Sequence, residues 1–152
     1  MVRPARAAKA GEDLDGVVKA IRETHERLDI WFCLDTLEYL RRGGRIGAAQ
    51  ALLGSALQIK PLLTFGTEIA PVGRVRTRKR AFERMVAYLG ELRDRGASDW
   101  CVQHAQQAEE AGRLVEQGTE ILGSEPLFCT EVGPVLGTHL GSGLLVGGVA
   151  AG

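Results

Sequence analysis

The apolar residues of this chain alternate between a helical and an extended period, and that alternation limits its possible folds more than any other feature. Leu14, Val17, Val18, Ile21 and Leu28 follow helical spacing, and "DIWFCLD" then gathers aromatic and aliphatic residues into a run of strand length. The change of period recurs. Phe82, Met85, Val86, Leu89 and Leu92 mark an amphipathic helix ending in "RDRG", "DWCVQHA" reads as a strand, and "QQAEEAGRLVEQGTEIL" reads as the next helix. Earlier, Asp35-Thr36 offers a cap for the short helical run "LEYLRR", which stops at Gly43-Gly44. A second helical pattern from Ile46 runs to Gln58, so the pair forms a helical hairpin hinged on the glycines. After Pro61, "LLTFGTEIAPVGRVRTR" reads as two extended segments with a turn at Gly66-Thr67, a β-hairpin. "EPLFCTE", a shorter "GPVLGTH" and the apolar "GLLVGGVA" complete the expected strands. The predicted fold is α/β, with α+β left open, built on a mixed β-sheet flanked by helices.

A chain of 152 residues fits one domain, and a domain of that size buries about 68–70% of the surface its unfolded chain exposes. Residues 1–12 are small and basic, with nothing to bury, and are expected to be a flexible lead-in to a domain spanning 13–152. The 19 basic and 19 acidic residues cancel. Electrostatic recognition must therefore come from local clusters rather than a global field, which speaks against nucleic acid. Cys33, Cys101 and Cys129 lie in apolar runs at no metal-ligand spacing, and their odd number argues against a disulfide framework. Reduced core thiols are expected. With no signal-peptide pattern and no apolar run approaching a membrane span, the expected location is cytoplasmic.

Three segments could carry chemistry. In "LDTLEYLRRGGRIG", Arg41, Arg42 and Arg45 surround two glycines, an arrangement that suits a carboxylate or phosphate but also a plain helix-capping turn. In "GRVRTRKR", an extended backbone would place Arg74, Arg76 and Arg78 on one face and Val75 on the other. That comb could dock an anionic ligand or an acidic partner, or could simply protect an edge strand. Lys60, beside Ile59 and Pro61, either snorkels to the surface or finds a partner, and the sequence favours snorkelling. In "GPVLGTHLGSG", His139 is surrounded by Gly137, Thr138, Gly141 and Ser142, whose hydroxyls and backbone N–H groups suit a carboxylate. His25 reads as a surface residue, and His104 ends a strand where it could face a cleft. No paired-carboxylate, HExxH, nucleophile-elbow or metal-ligand pattern occurs, so the residues favour binding over catalysis and call for no cofactor or metal.

Taken in order, "LDTLEYLRRGGRIG", "LQIKPLLTF…GRVRTRKRA" and "PVLGTHLGSG" resemble the successive signatures of the DegV family of bacterial fatty-acid-binding proteins. The resemblance covers the chain from about Leu14 onward. It implies a protein that encloses a long-chain fatty acid and presents its carboxylate to a separate fatty acid kinase subunit, performing no chemistry itself. It also implies roles by position. His139 corresponds to the family histidine near the carboxylate, Arg76 and its neighbours to a basic segment suited to kinase contact, and Arg45 and Lys60 to residues of the cleft. Ser142 departs from the family pattern, which has proline there. The family's first α/β domain has no counterpart in the sequence, so this half is expected to need a second chain, as a dimer or a separate N-terminal half, to close a tunnel. The competing expectation is a protein-interaction module that carries no lipid and docks through residues 74–80.

Overall fold

The computed structural model describes residues 2–54, 59–97 and 99–150. Among these, six strands form one sheet: β1 (Leu28–Leu34), β2 (Lys60–Phe65), β3 (Ile69–Val75), β4 (Asp99–Ala105), β5 (Cys129–Glu131) and β6 (Gly143–Val149). Their spatial order is β3-β2-β1-β6-β4-β5. Only β4 and β5 run parallel, so the sheet is mixed, as the sequence predicts. The last strand therefore sits in the middle. β6 pairs with β1 along Leu28–Leu34 on one side and with β4 along Asp99–Ala105 on the other. Burial on both faces explains its nearly unbroken run of apolar and glycine residues.

Two helices cover one face. α4 (Arg78–Asp94) and α5 (Ala108–Leu122) pack Met85, Tyr88, Leu89, Leu92, Ala111 and Leu114 onto Cys33, Trp100, Val102, Leu144 and Val146. Side chains alternate along a strand, so the residues between these point to the other face. There α3 (Glu38–Arg42), a 3₁₀ helix (Gly47–Leu52) and α6 (Pro134–Leu140) enclose Phe32, Leu34, Leu40, Ala49, Leu63 and Leu140. Of these short elements the 3₁₀ helix packs on β3, and α3 packs on α6. A pair of N-terminal helices, α1 (Val2–Lys9) and α2 (Leu14–Arg27), pack on each other. Asp13 caps α2 by accepting a hydrogen bond from the Gly16 N–H at 2.8 Å.

Four local expectations need correction. Residues 1–12, expected to be flexible, include helix α1, and the Arg3 Nε donates to Asp99 Oδ2 at 2.6 Å. That partner lies 96 positions away, beyond any local pattern. "GPVLGTH" is a helix rather than a strand. Pro134 opens its first turn, Thr138 Oγ1 donates to the Pro134 carbonyl at 2.8 Å, and Val135 and Leu136 point to solvent. The second arm of the helical hairpin is a 3₁₀ helix over Gly47–Leu52; Leu53 and Gly54 leave it in a turn, and residues 55–58 of the expected helix lie outside the described residues. Of the three expected core thiols Cys33 is buried, but Cys101 is half-buried and Cys129 is exposed on the short edge strand β5.

Candidate functional site

Asp35 follows β1 directly and is where distant parts of the chain meet. Its backbone N–H donates to the Ser142 carbonyl at 3.1 Å. Its carboxylate accepts from Lys60 Nζ at 2.8 Å and from Arg78 Nη2 at 2.6 Å. Lys60 also donates to the Asp35 carbonyl at 3.2 Å. Lys60 therefore pairs instead of snorkelling, with the lysine and aspartate side chains 23% and 22% exposed. Burial raises the Asp35 pKa, but hydrogen bonds from Arg78 and Lys60 and their charges outweigh it and hold the carboxyl below its usual range. One further link reaches the glycine-rich stretch: Gln107 Nε2 donates to Ser142 Oγ at 2.9 Å.

The depressed Asp35 pKa gives an acid signature. Its stabilisation is complete above the ordinary carboxylate pKa of about 4 and disappears as pH falls through the lower folded value. Asp35→Asn should unfold at lower denaturant than the wild type at neutral pH, and the two midpoints should converge below about pH 4. Parallel curves down to low pH would show that the carboxylate is not held by its charges.

Beside Asp35 opens a cleft of about 680 Å³. Gly137, Thr138, Gly141 and Ser142 line it together with Asp35, Thr36 and Tyr39. Ser142 Oγ accepts from Gln107, and Thr36 Oγ1 accepts from the Glu38 N–H at 3.2 Å. Each hydroxyl keeps its own proton to donate to a ligand oxygen. Gln106, also on the wall, has φ +57°, and Gly is the usual residue at such an angle.

Not every expected site residue reaches this cleft. The His139 ring packs against Gly43 at the contact between α3 and α6, so close that a Cβ on Gly43 would collide with Nδ1. That nitrogen is buried without a hydrogen-bond partner. Arg45 is exposed and donates to the Gly43 carbonyl at 2.8 Å, so the "GGRI" and "GTH" motifs meet at Gly43. Arg41 and Arg42 both bind Glu38, as a capping turn would have them.

The arginine comb does not form. β3 ends at Val75, and Thr77 accepts from the Arg80 N–H at 3.2 Å to cap α4, which turns the chain out of extended geometry. Arg78 becomes helical and binds Asp35, while Arg74 and Arg76 stay exposed. β3 is an edge strand, and Pro71 and Arg74 there resist edge pairing. His25 is exposed as expected; His104 is half-buried with an unpartnered Nδ1. Asp35 itself, read from the sequence only as a helix cap, is the residue that local reasoning missed.

A second, more apolar groove of about 210 Å³ lies on the same sheet face as the cleft. Ile30 of β1, Leu145 and Gly147 of β6, Cys101 and Gln103 of β4, and Phe128 line it. Cys101 and Gln103 belong to the groove and Ala105, two residues further along the same face of β4, belongs to the cleft. The two openings therefore follow one strand. Among the described residues no cluster of His, Cys, Asp and Glu is arranged to hold a metal ion, and no helix is long and apolar enough to cross a membrane.

Comparison with known proteins bears on the family and the fold. The model for uncharacterised proteins of the DegV family matches residues 1–151. A DegV domain-containing protein of Streptomyces coelicolor is 41% identical over 143 residues, covering 93% of this chain and 51% of the relative. The crystal structure of DegV, a fatty acid binding protein from Bacillus subtilis, aligns at 32% identity with a TM-score of 0.82, over 98% of this chain and 54% of that one. A fatty acid binding DegV family protein from Streptococcus agalactiae aligns at 26% identity and a TM-score of 0.85, over 99% and 54%. This chain spans about half the length of the curated relatives it matches.

Proposed function

The chain belongs to the DegV family, and we propose that it binds a long-chain fatty acid, tail in the groove and carboxylate in the cleft. The observation that carries this reading is the succession of the two openings along one face of β4, the apolar groove at Cys101 and Gln103 and the hydroxyl-lined cleft at Ala105. Each methylene moved from water into such a groove contributes about 0.8 kcal/mol, which supplies the drive. The carboxylate, which must not be left without donors, finds the free protons of Thr36 and Ser142. His139, packed on Gly43, supports the cleft wall at the neighbouring Thr138 rather than meeting the carboxylate itself.

In this reading the protein performs no chemistry and hands the carboxylate to a cytoplasmic fatty acid kinase subunit. Arg74 and Arg76 remain exposed for that contact, whereas Arg78 is engaged by Asp35. Groove and cleft are both open, and Leu127 and Phe128 at the rim are 37% and 38% exposed. The bound tail therefore stays partly exposed unless a second body, another domain or a second chain, covers it.

Native mass spectrometry of the chain purified from a bacterial host, followed by denaturing lipid extraction, tests the reading. A co-purifying long-chain fatty acid supports it, and His139→Ala should retain several-fold less. A folded chain that carries no lipid and takes up none when palmitate is added counts against it and favours a docking module built on the edge strand and residues 74–80.

A further inference from the structure

β6 contains adjacent glycines, Gly147 and Gly148, whose positions make opposite demands. Successive strand residues face opposite sides of a sheet. A Cβ on Gly148 would lie 2.8 Å from both Leu92 methyl groups, so the packing of α4 requires glycine there. Gly147 faces the groove. A Cβ there would sit 3.4 Å from Cys101 Sγ and 3.6 Å from Ile30 Cγ1, which is ordinary contact. Its φ is not positive, so no turn geometry demands glycine either. A glycine inside a strand weakens it through backbone entropy and the loss of a packing side chain. Gly147 therefore carries a stability penalty that neither packing nor backbone conformation explains.

What its missing side chain leaves is space. Gly147 pairs with Ile30 on β1 and with Cys101 on β4, and all three line the groove, so they form one row across its floor. On the fatty-acid reading above, we infer that Gly147 is a specificity-determining residue: its bare backbone sets the depth of the groove and thereby admits long acyl chains. A side chain at this position fills the row and shortens the apolar path from the cleft. Short acyl chains, which end nearer the cleft, are indifferent to it.

The test uses Gly147→Ala and Gly147→Val in the full chain with Cys129→Ser, so that Cys101 is the accessible thiol and Cys33 stays buried. Burial pushes the Cys101 thiol up, so alkylation with N-ethylmaleimide is run at mildly alkaline pH. Gly147→Ala should melt at or above the temperature of the parent. Gly147→Val should slow Cys101 alkylation in the absence of lipid, weaken palmitate binding roughly tenfold and change decanoate binding by less than about threefold. That combination separates a role in the groove from damage to the fold, because a structural glycine would lower the melting temperature and weaken both acids together. Unchanged palmitate affinity in folded Gly147→Val, with a parent chain that binds palmitate, overturns the inference alone. A parent chain that binds neither acid overturns the fatty-acid reading, and the assignment of Gly147 with it.

Discussion

Trp100→Ala should leave little folded protein at denaturant concentrations where the wild type is fully native. Trp100 is 1% exposed and lies on the helix-covered face of β4, in one cluster with Leu92, Leu114 and Val146. Its indole Nε1 donates to the Ser124 carbonyl at 3.0 Å and so ties β4 to the segment beyond α5. Truncating a buried tryptophan to alanine costs about 3–5 kcal/mol through lost transfer energy and the cavity left behind. Native domains are stable by only about 5–15 kcal/mol, so this one change removes a large share of the total. Equilibrium urea unfolding followed by circular dichroism reads the effect as a drop in midpoint. A loss below about 1 kcal/mol would mean that the helices collapse into the cavity and that Trp100 is not central to the core.

Gly141→Ala should reduce stability and ligand retention together. Gly141 ends α6 with φ +68° and ψ −156°, a combination in which only glycine is comfortable. A Cβ there would also lie 2.5 Å from Cδ2 and 2.7 Å from Cε2 of Tyr39. Backbone strain of this kind costs about 1–3 kcal/mol, and relief comes only if the loop shifts or the Tyr39 ring moves out of the cleft wall. Either response disturbs the neighbouring, cleft-lining Ser142, whose carbonyl holds the Asp35 N–H and whose hydroxyl accepts from Gln107. The denaturation midpoint and the amount of co-purifying fatty acid should both fall. A variant with wild-type stability would show that the loop is not held at this angle in solution. One with reduced stability but unaltered lipid content would separate the loop from the ligand.

The long elements were legible because each buries a single face. "DWCVQHA" is β4 residue for residue, and the heptad-like spacing in α5 and the second half of α4 reports the helical face that meets the sheet. Short elements were not, since a run such as "GPVLGTH" has too few buried positions to declare a period. It became a helix with only Leu140 buried. The start of α4 was hidden for a different reason. Thr77 caps it inside a run of arginines that alternate as a strand would, and a cap is one hydrogen bond with no periodicity.

The candidate site divides along the same line. Residue chemistry pointed to Lys60, Arg78, Thr138 and Ser142, because a cation beside a proline or hydroxyls among glycines stand out wherever they end up folded. It could not say that Lys60 and Arg78 spend their charge on Asp35, which lies 25 and 43 positions from them. Nor could it say that His139 packs on Gly43 while its neighbours line the cleft. By itself, the sequence determined the alternation of helix and strand, the mixed sheet and the family, all of which follow from local spacing or from motifs in linear order. Only the tertiary structure decided which glycine yields to a helix, which leaves a groove open, and where the cations are neutralised. Those outcomes depend on distances between residues far apart in the chain, and no local pattern of residues encodes such distances.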